Sequence, residues 1–300
     1  MSNTAEVPAG PLTGPVFRYA GAKWRLARWI ISHFPQHETY AEPFLGSGCV
    51  FFQKPPSRSE YLGDADRRIV EFFQVARSRP EALAHAIDLT PYSRAEYEAA
   101  MNLPLDEDEV ERVRAWLVAQ QMSYGGNGHA RNKIGWRHNG RDSGHGGVIR
   151  QWQALPGRIH QAAARLKDAQ LECRDAVELI QVLNGSEVLI YADPPYLGST
   201  RGRQGEHGKL YRHEMMDEAS HARLLDALDA HPGMVVLSGY ASELYDTRLR
   251  HWHRVVRTAA AEGGQPREEV LWVNPAATGR LAEEYAARQE VRMPLFGGRA

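Results

Sequence analysis

The stretch Val188–Thr200, "VLIYADPPYLGST", takes an apolar run straight into an acid, two prolines and a tyrosine. A short apolar run bounded by breakers reads as a strand buried on both faces, which is how strands of a parallel sheet look. Pro194 and Pro195 can continue neither a strand nor a helix, so the chain leaves the strand in a rigid loop. In such sheets ligands bind beyond the carboxyl ends of the strands. Asp193 then stands at a crevice, beside a Pro194 carbonyl that no local N–H engages. Together they form an acceptor pair suited to an amino group, and Tyr196 adds a flat face on which a base can stack. A capped turn that merely ends a strand explains the same four residues, so the neighbouring motifs have to decide.

Outward from that strand, the pattern alternates. Strands are expected near Thr39–Glu42, Glu60–Gly63, Leu171–Cys173, Val188–Ala192, Met234–Ser238, Trp252–Val256 and Val270–Val273. Helical periodicity falls near Lys23–His33, Arg67–Ser78, Arg94–Met101, Glu107–Met122, Gln153–Lys167, Ala176–Leu183, Asp217–Ala230, Ser242–Leu249 and Leu281–Glu290. The fold class is therefore α/β, with a mostly parallel sheet covered on both faces. Residues 80–168 break the alternation and read as a mostly helical insertion around a Gly/Asn/Arg-rich loop.

Two further strand ends carry chemistry. In "YAEPFLGSGCVFF" a strand meets Gly46-Ser47-Gly48 and then an expected helix, a turn that lets backbone approach a ligand. In "EYLGDAD" Asp64 ends the next strand, about 20 residues on, where an acid accepts from ribose hydroxyls. A plain tight turn accounts for any one of these, but not for three in the expected order.

Composition bounds the partners. The 300 residues hold 36 Lys plus Arg against 37 Asp plus Glu, and only two cysteines, Cys49 and Cys173, as in a reduced cytosolic protein. No apolar run of about 18 residues offers a membrane span, and "MSNTAEVPAGPLTGP" reads as a loose arm rather than a signal peptide. The near-neutral balance hides an asymmetry: between His129 and Lys167 eight basic residues face one acid, Asp142, with Trp136 and Trp152 interleaved. Such a face suits phosphates and base edges, although a solvated loop and a basic helix give the same count. His129, His138 and His145 lack the spacing of a metal site, and no metal is expected.

These motifs together resemble the DNA adenine N6-methyltransferases in which the cofactor motif precedes the catalytic one and a target-recognition region lies between. The likeness spans nearly the whole chain: "FRYAGAKWRLARWI", "EPFLGSGCVFF", "YLGDADRRIVEFF", "CRDAVELI", "ADPPY" and "EEVLWVN". It implies a Rossmann-like, S-adenosylmethionine-dependent methyltransferase sheet over 16–79 and 169–290, an inserted, mostly helical DNA-recognition domain over 80–168, an arm over 1–15 and a tail over 291–300. Tyr19, Lys23, Pro43, Phe44, Gly46, Ser47, Gly48, Asp64 and Asp193 would line the cofactor site, with Lys23 near the methionine carboxylate or the DNA. Asp175 would either touch the cofactor's adenine or cap a helix. Asp193, Pro194, Pro195 and Tyr196 would act on an adenine flipped out of double-stranded DNA. Asn127, Arg131, Asn132, Lys133 and Arg137 would contact the DNA.

The chain lacks the Phe-Asn-x-Pro hairpin of the GATC-reading members, so adenine transfer is implied without that target sequence. Amino transfer to RNA or to cytosine N4 stays as the alternative; serine is commoner than Asp193 in the latter. The resemblance further implies a monomer in the cytoplasm of a bacterial or phage-infected cell, associated with the nucleoid, and a link to restriction-modification. The late segment "QEVRMPLFGG" resembles the peptides that bind a replication sliding clamp, through 290–296, or else folds back on its own domain.

Overall fold

The computed structural model describes residues 11–104, 106–124, 135–137, 147–197, 215, 217–260 and 266–292. Seven strands form one sheet: β1 (Thr39–Glu42), β2 (Ser59–Asp64), β3 (Ala169–Cys173), β4 (Val188–Ala192), β5 (Met234–Gly239), β6 (His253–Ala260) and β7 (Pro266–Val273). Their order is β3-β2-β1-β4-β5-β7-β6. The first five are parallel, whereas β7 runs antiparallel to both β5 and β6. Succession moves outward from β1 to β3 and then returns to β4 beside β1. The order therefore reverses between β1 and β4, opening a crevice beyond their carboxyl ends.

Why the strands are apolar throughout follows from two-sided burial. Alternate residues feed two separate clusters: Tyr40, Leu62, Leu189, Tyr191, Val236 and Leu271 on one face, Ala41, Val188, Ile190, Val235, Leu237 and Trp272 on the other. A period of two places neighbours on opposite faces, and helices cover both.

The helices are α1 (Ala27–Ile31), α2 (Arg67–Ser78), α3 (Pro80–Asp88), α4 (Arg94–Met101), α5 (Glu109–Met122), α6 (Gly147–Gln153), α7 (Leu155–Leu166), α8 (Ala176–Val182), α9 (Glu218–Asp229), α10 (Glu243–Arg248) and α11 (Pro275–Arg292). Caps explain many of the starts: the side chains of Asp66, Ser93, Asp108, Asp175, Asp217 and Ser242 each accept a backbone N–H of the first turn.

Several boundaries differ from expectation. The helix expected over Lys23–His33 is α-helical only over Ala27–Ile31, because Leu26 and Ala27 both donate to the Lys23 carbonyl in a tight opening turn. Helix α3 was not anticipated: Pro80 reads as a break after α2, but it occupies the first turn of a new helix, where its missing N–H does no harm. Helix α6 was also unforeseen, while α11 starts earlier than Leu281. There the Asn274 side-chain Oδ1 accepts from the Ala277 and Val235 N–H groups at 2.9 Å each, tying the helix start to β5.

Among the described residues of 80–168 no strand occurs, only an isolated bridge between Ser123 and Trp136. The helices of this stretch share the apolar cluster of the first sheet face. Phe17 meets Phe72 and Trp116 edge-on, with ring centres 4.9 and 5.1 Å apart. A buried charge cluster ties the same stretch to the sheet. Glu60 on β2 accepts from Lys54 at 2.6 Å and from Arg165 on α7 at 2.7 Å. Burial alone would raise the Glu60 pKa, yet the hydrogen bonds from Arg165 and Lys54 hold it below the usual carboxylate value. Removing one partner of such a cluster strands the others, so Glu60→Gln is expected to lower stability by about 3–5 kcal/mol. A lower urea midpoint at unchanged slope would report it. Because the folded pKa is depressed, this stabilisation is present at neutral pH and lost only as acid titrates Glu60 itself.

Candidate active site

The crevice is built first by the turn after β1. Gly46 and Gly48 adopt φ of +50° and +64°, the left-handed region that favours glycine. A Cβ on Gly46 would lie 3.1 Å from the Tyr19 ring, and one on Gly48 only 2.8 Å from Phe52. The Gly46 N–H donates to Asp64 Oδ2 at 2.9 Å, the Asp66 N–H donates to Asp64 Oδ1 at 2.8 Å, and Leu45 N–H reaches the Gly63 carbonyl. The turn is thus sewn to the end of β2. Burial pushes the Asp64 carboxyl up to about 7, against the opposing pull of those two N–H groups.

The helix expected after the glycine turn is absent. Residues 49–54 make successive turns instead, since the Phe51 N–H donates at 3.1 Å to the Glu42 carboxylate and Pro55-Pro56 stops any extension. Glu42, at the end of β1, also accepts from the Tyr40 hydroxyl at 2.8 Å. It is buried, and that burial pushes its pKa up to about 8. Cys49, nearby, is buried too; burial pushes its thiol up to about 12, and both cysteines are free.

The other side of the crevice is the end of β4. Asp193 Oδ2 pairs with Lys23 Nζ at 3.0 Å, and Oδ1 accepts from Ser238 Oγ at 2.8 Å. With the serine proton engaged there, the Tyr191 hydroxyl donates to Ser238 Oγ at 3.0 Å. Ser238 reaches Asp193 because β5 pairs in parallel with β4, setting Leu237 beside Ala192. Lys23 also donates to the Gly21 carbonyl at 2.9 Å, and its ammonium sits 4.8 Å from the centre of the Tyr196 ring. The Tyr196 hydroxyl donates to Glu269 Oε2 at 3.1 Å, and its ring centre lies 4.2 Å from that of Tyr240.

These two sides enclose one cavity of about 310 Å³. Tyr19, Lys23, Pro43, Phe44, Gly46, Ser47, Asp64, Asp175, Asp193, Pro194, Pro195 and Tyr196 all line it. Gly48 lies behind the wall and shapes the turn. Asp175 caps α8 through Val177 N–H at 3.0 Å and accepts from Arg223 at 3.3 Å, and both line the cavity, so capping and lining coexist. Glu42, Tyr191, Met215, Ser220 and Arg223 line the cavity as well and were not foreseen. Glu42, Tyr191 and Ser238 carried one signal that could have found them: each is a polar group in or ending a buried apolar strand.

Of the residues expected to touch DNA, only Arg137 is described. Its N–H donates to the Met122 carbonyl and its own carbonyl accepts from Tyr92 at 2.7 Å, while the Arg94 guanidinium stacks 4.9 Å over Trp136 next to it. Asn127, Arg131, Asn132 and Lys133 lie outside the described residues, as do His129, His138, His145 and, in the clamp-like segment, Met293–Phe296. No group of three or more His, Cys, Asp or Glu able to hold a metal occurs among the described residues, and none of their helices is long and apolar enough to cross a membrane.

A family model described as "D12 class N6 adenine-specific DNA methyltransferase" matches residues 19–258. The chain is 22% identical to a DNA adenine methylase of Salmonella typhi over 258 residues, covering 82% of this chain and 89% of that protein. The DNA adenine methylase of Escherichia coli K12 matches with the same figures. A DNA N-6-adenine-methyltransferase of Escherichia phage P1 is 24% identical over 214 residues, which is 69% of this chain and 27% of that protein. A solved structure titled as a precorrin 8w decarboxylase from Methanobacterium thermoautotrophicum aligns at a TM-score of 0.35 and 10% identity, covering 88% of this chain and 95% of that one.

Backbone strain at the glycine turn is directly testable. Gly48→Ala forces an L-residue to positive φ and drives its methyl into Phe52, so it is expected to destabilise by about 1–3 kcal/mol, measured by thermal or urea unfolding.

Proposed function

We propose, from the premise that this chain belongs to the D12 class of N6 adenine-specific DNA methyltransferases, that the Asp193 crevice is where the adenine amino group and the methyl donor meet. The protein methylates adenine in DNA, so RNA and cytosine N4 drop away as acceptors. The observation that carries the site assignment is Asp193, fixed at both oxygens by Lys23 and Ser238 at the edge of a cavity that also holds Asp64.

The residues present fit S-adenosyl-L-methionine. Gly46 brings bare backbone to the cavity wall beside Tyr19, Asp64 offers an acceptor carboxylate for ribose hydroxyls, and acids outnumber Lys23 and Arg223 along the wall, as a cationic ligand requires. Tyr19, Lys23, Phe44 and Ser47 would hold the methionine part, Asp175 the adenine end. When bound, the cofactor supplies an electrophilic methyl group on a sulfonium.

The rest of the work falls to this chain. An adenine amino nitrogen is a poor nucleophile because its lone pair is delocalised into the ring. Asp193 and the Pro194 carbonyl accept from its two hydrogens, favouring a pyramidal nitrogen with a concentrated lone pair. Lys23 and Ser238 keep the carboxylate in one orientation, so positioning and preorganised electrostatics carry the rate. Flipping the base costs about a few kcal/mol, offset by stacking on Tyr196, worth about 1–3 kcal/mol. Residues 80–168, with Arg137 and the neighbouring Asn127, Arg131, Asn132 and Lys133, would hold the duplex and read its sequence. The reading places the enzyme with the DNA in the cytoplasm.

The decisive experiment transfers labelled methyl groups from S-adenosylmethionine to unmethylated genomic DNA, followed by modification-sensitive sequencing. N6-methyladenine in one short motif is expected, with a loss of about 10²–10³-fold or more in Asp193→Ala. Transfer that survives this substitution would overturn the assignment of Asp193.

A second expectation concerns pH. Asp64 accepts best when ionised, and its pKa is raised to about 7. Cofactor affinity should therefore weaken as pH falls from 8 to 6, by up to about tenfold per unit below the pKa. Calorimetry with S-adenosylhomocysteine checks it, and Asp64→Asn should flatten the dependence near pH 7.

A further inference from the structure

We propose that Glu269 and Tyr240 are positioning residues that clamp the Tyr196 ring, so that the platform for the flipped base is rigid before DNA arrives. The proposal rests on Tyr196 being the stacking face of the adenine site.

Tyr196 lies on the loop that leaves β4, beyond the last residue with strand pairing, so the sheet ladder does not fix its ring. Two residues from the place where β5 meets β7 do. Tyr240 directly follows β5, and its ring centre stands 4.2 Å from that of Tyr196 at a 48° tilt. Glu269 lies on β7 next to Val270, which pairs with Gly239, the last residue of β5. Because β7 runs antiparallel to β5, an early residue of β7 is delivered to the carboxyl end of the parallel strands. The Glu269 carboxylate then reaches the Tyr196 hydroxyl at 3.1 Å.

Glu269 is an unusual residue for this place. It is 9% exposed and is followed by Val270, Leu271, Trp272 and Val273, all at most 1% exposed. A carboxylate at that depth needs hydrogen-bond donors, and the Tyr196 hydroxyl is one of them. The bond fixes the ring at its far end, and the Tyr240 ring, with its centre 4.2 Å away, packs against it. The Lys23 ammonium lies over the ring, 4.8 Å from its centre. A ring held at both points loses little further freedom when a base stacks on it. The gain therefore belongs to base capture and methyl transfer, and not to cofactor binding.

The test is a cycle in the full chain: Tyr196→Phe, Glu269→Ala and the double variant, with Glu269→Gln and Tyr240→Leu alongside. Single-turnover methyl transfer should fall about tenfold in each of the first two, the usual worth of a hydrogen bond to a charged group. The double variant should fall no further, because both changes delete the same bond. Glu269→Gln, whose amide oxygen still accepts, should restore most of the rate, and affinity for S-adenosylhomocysteine should stay constant throughout. Additive losses in methyl transfer, or a loss that appears in cofactor affinity, would overturn the clamp.

A readout independent of catalysis is the fluorine spectrum of protein labelled with 3-fluorotyrosine, the Tyr196 resonance being the one missing in Tyr196→Phe. It should move in both Glu269→Ala and Tyr240→Leu. If it stays put in both, the clamp is refuted whether or not the wild type is active. A wild type that methylates no DNA, with the resonance moving as described, would instead refute the role given to the ring and leave the clamp standing.

Discussion

The Asp193 carboxylate is held by three separate parts of the chain, and the architecture around it is what brings those parts together. Its backbone ends β4, its Oδ2 meets Lys23 from the turn before α1, and its Oδ1 meets Ser238 near the end of β5. Lys23 is 173 to 215 residues distant in sequence from Tyr196 and Ser238, so no local preference could assemble the group. The reversal of strand order between β1 and β4 opens the crevice, and β5 must lie beside β4 for the serine to reach. Ser238 in turn accepts from Tyr191, whose ring is buried in the first-face core, so the orientation of the acid is coupled to packing well below the site. Both carboxylate oxygens are engaged, yet each retains acceptor capacity, which is the state a preorganised acceptor needs.

Four adjacent parallel strands present a polar side chain at or just past their carboxyl ends: Asp64 on β2, Glu42 on β1, Asp193 after β4 and Ser238 on β5. That regularity explains which parts of the site sequence could give. Asp193 stood out because two prolines follow it at once, and Asp64 because it ends the strand about 20 residues beyond the glycine turn. Glu42 and Ser238 did not, because an acid closing a four-residue strand, or a serine inside "VVLSGY", looks like an ordinary surface or packing residue until the register is known. Strands β1 and β4 were legible to the residue, since a short apolar run bounded by breakers has few other solutions. Helix α3 was hidden by Pro80, whose two roles, breaker and first-turn residue, are indistinguishable without the backbone. Strands β6 and β7 run longer than their apolar centres, because ladder bonds between them carry on past the hydrophobic residues to Ala260 and Pro266.

The acid at Glu60 and the acids Glu42 and Asp64 beside the crevice answer opposite demands. Glu60 is matched by Lys54 and Arg165, so its pKa is depressed and it stabilises the fold at neutral pH. Glu42 and Asp64 sit where hydrogen-bond donors are backbone N–H groups and a phenol, with no cation in hydrogen-bond contact among the bonds described, and their pKa values rise to about 8 and about 7. For a carboxyl whose folded pKa is raised, the favourable contribution to folding is complete below the unfolded value and is lost as pH climbs through the folded one. At neutral pH the crevice therefore holds acids that gain from an arriving positive charge. A sulfonium ligand of the kind proposed would meet that need, and its binding would draw protons off the site. The chain thus keeps its paired acid where the helices of 80–168 join the sheet, and its under-compensated acids where a cation is to be received. Asp193 stands between these extremes: Lys23 keeps it oriented while it lines the same crevice as Glu42 and Asp64, whose described hydrogen bonds involve no cation.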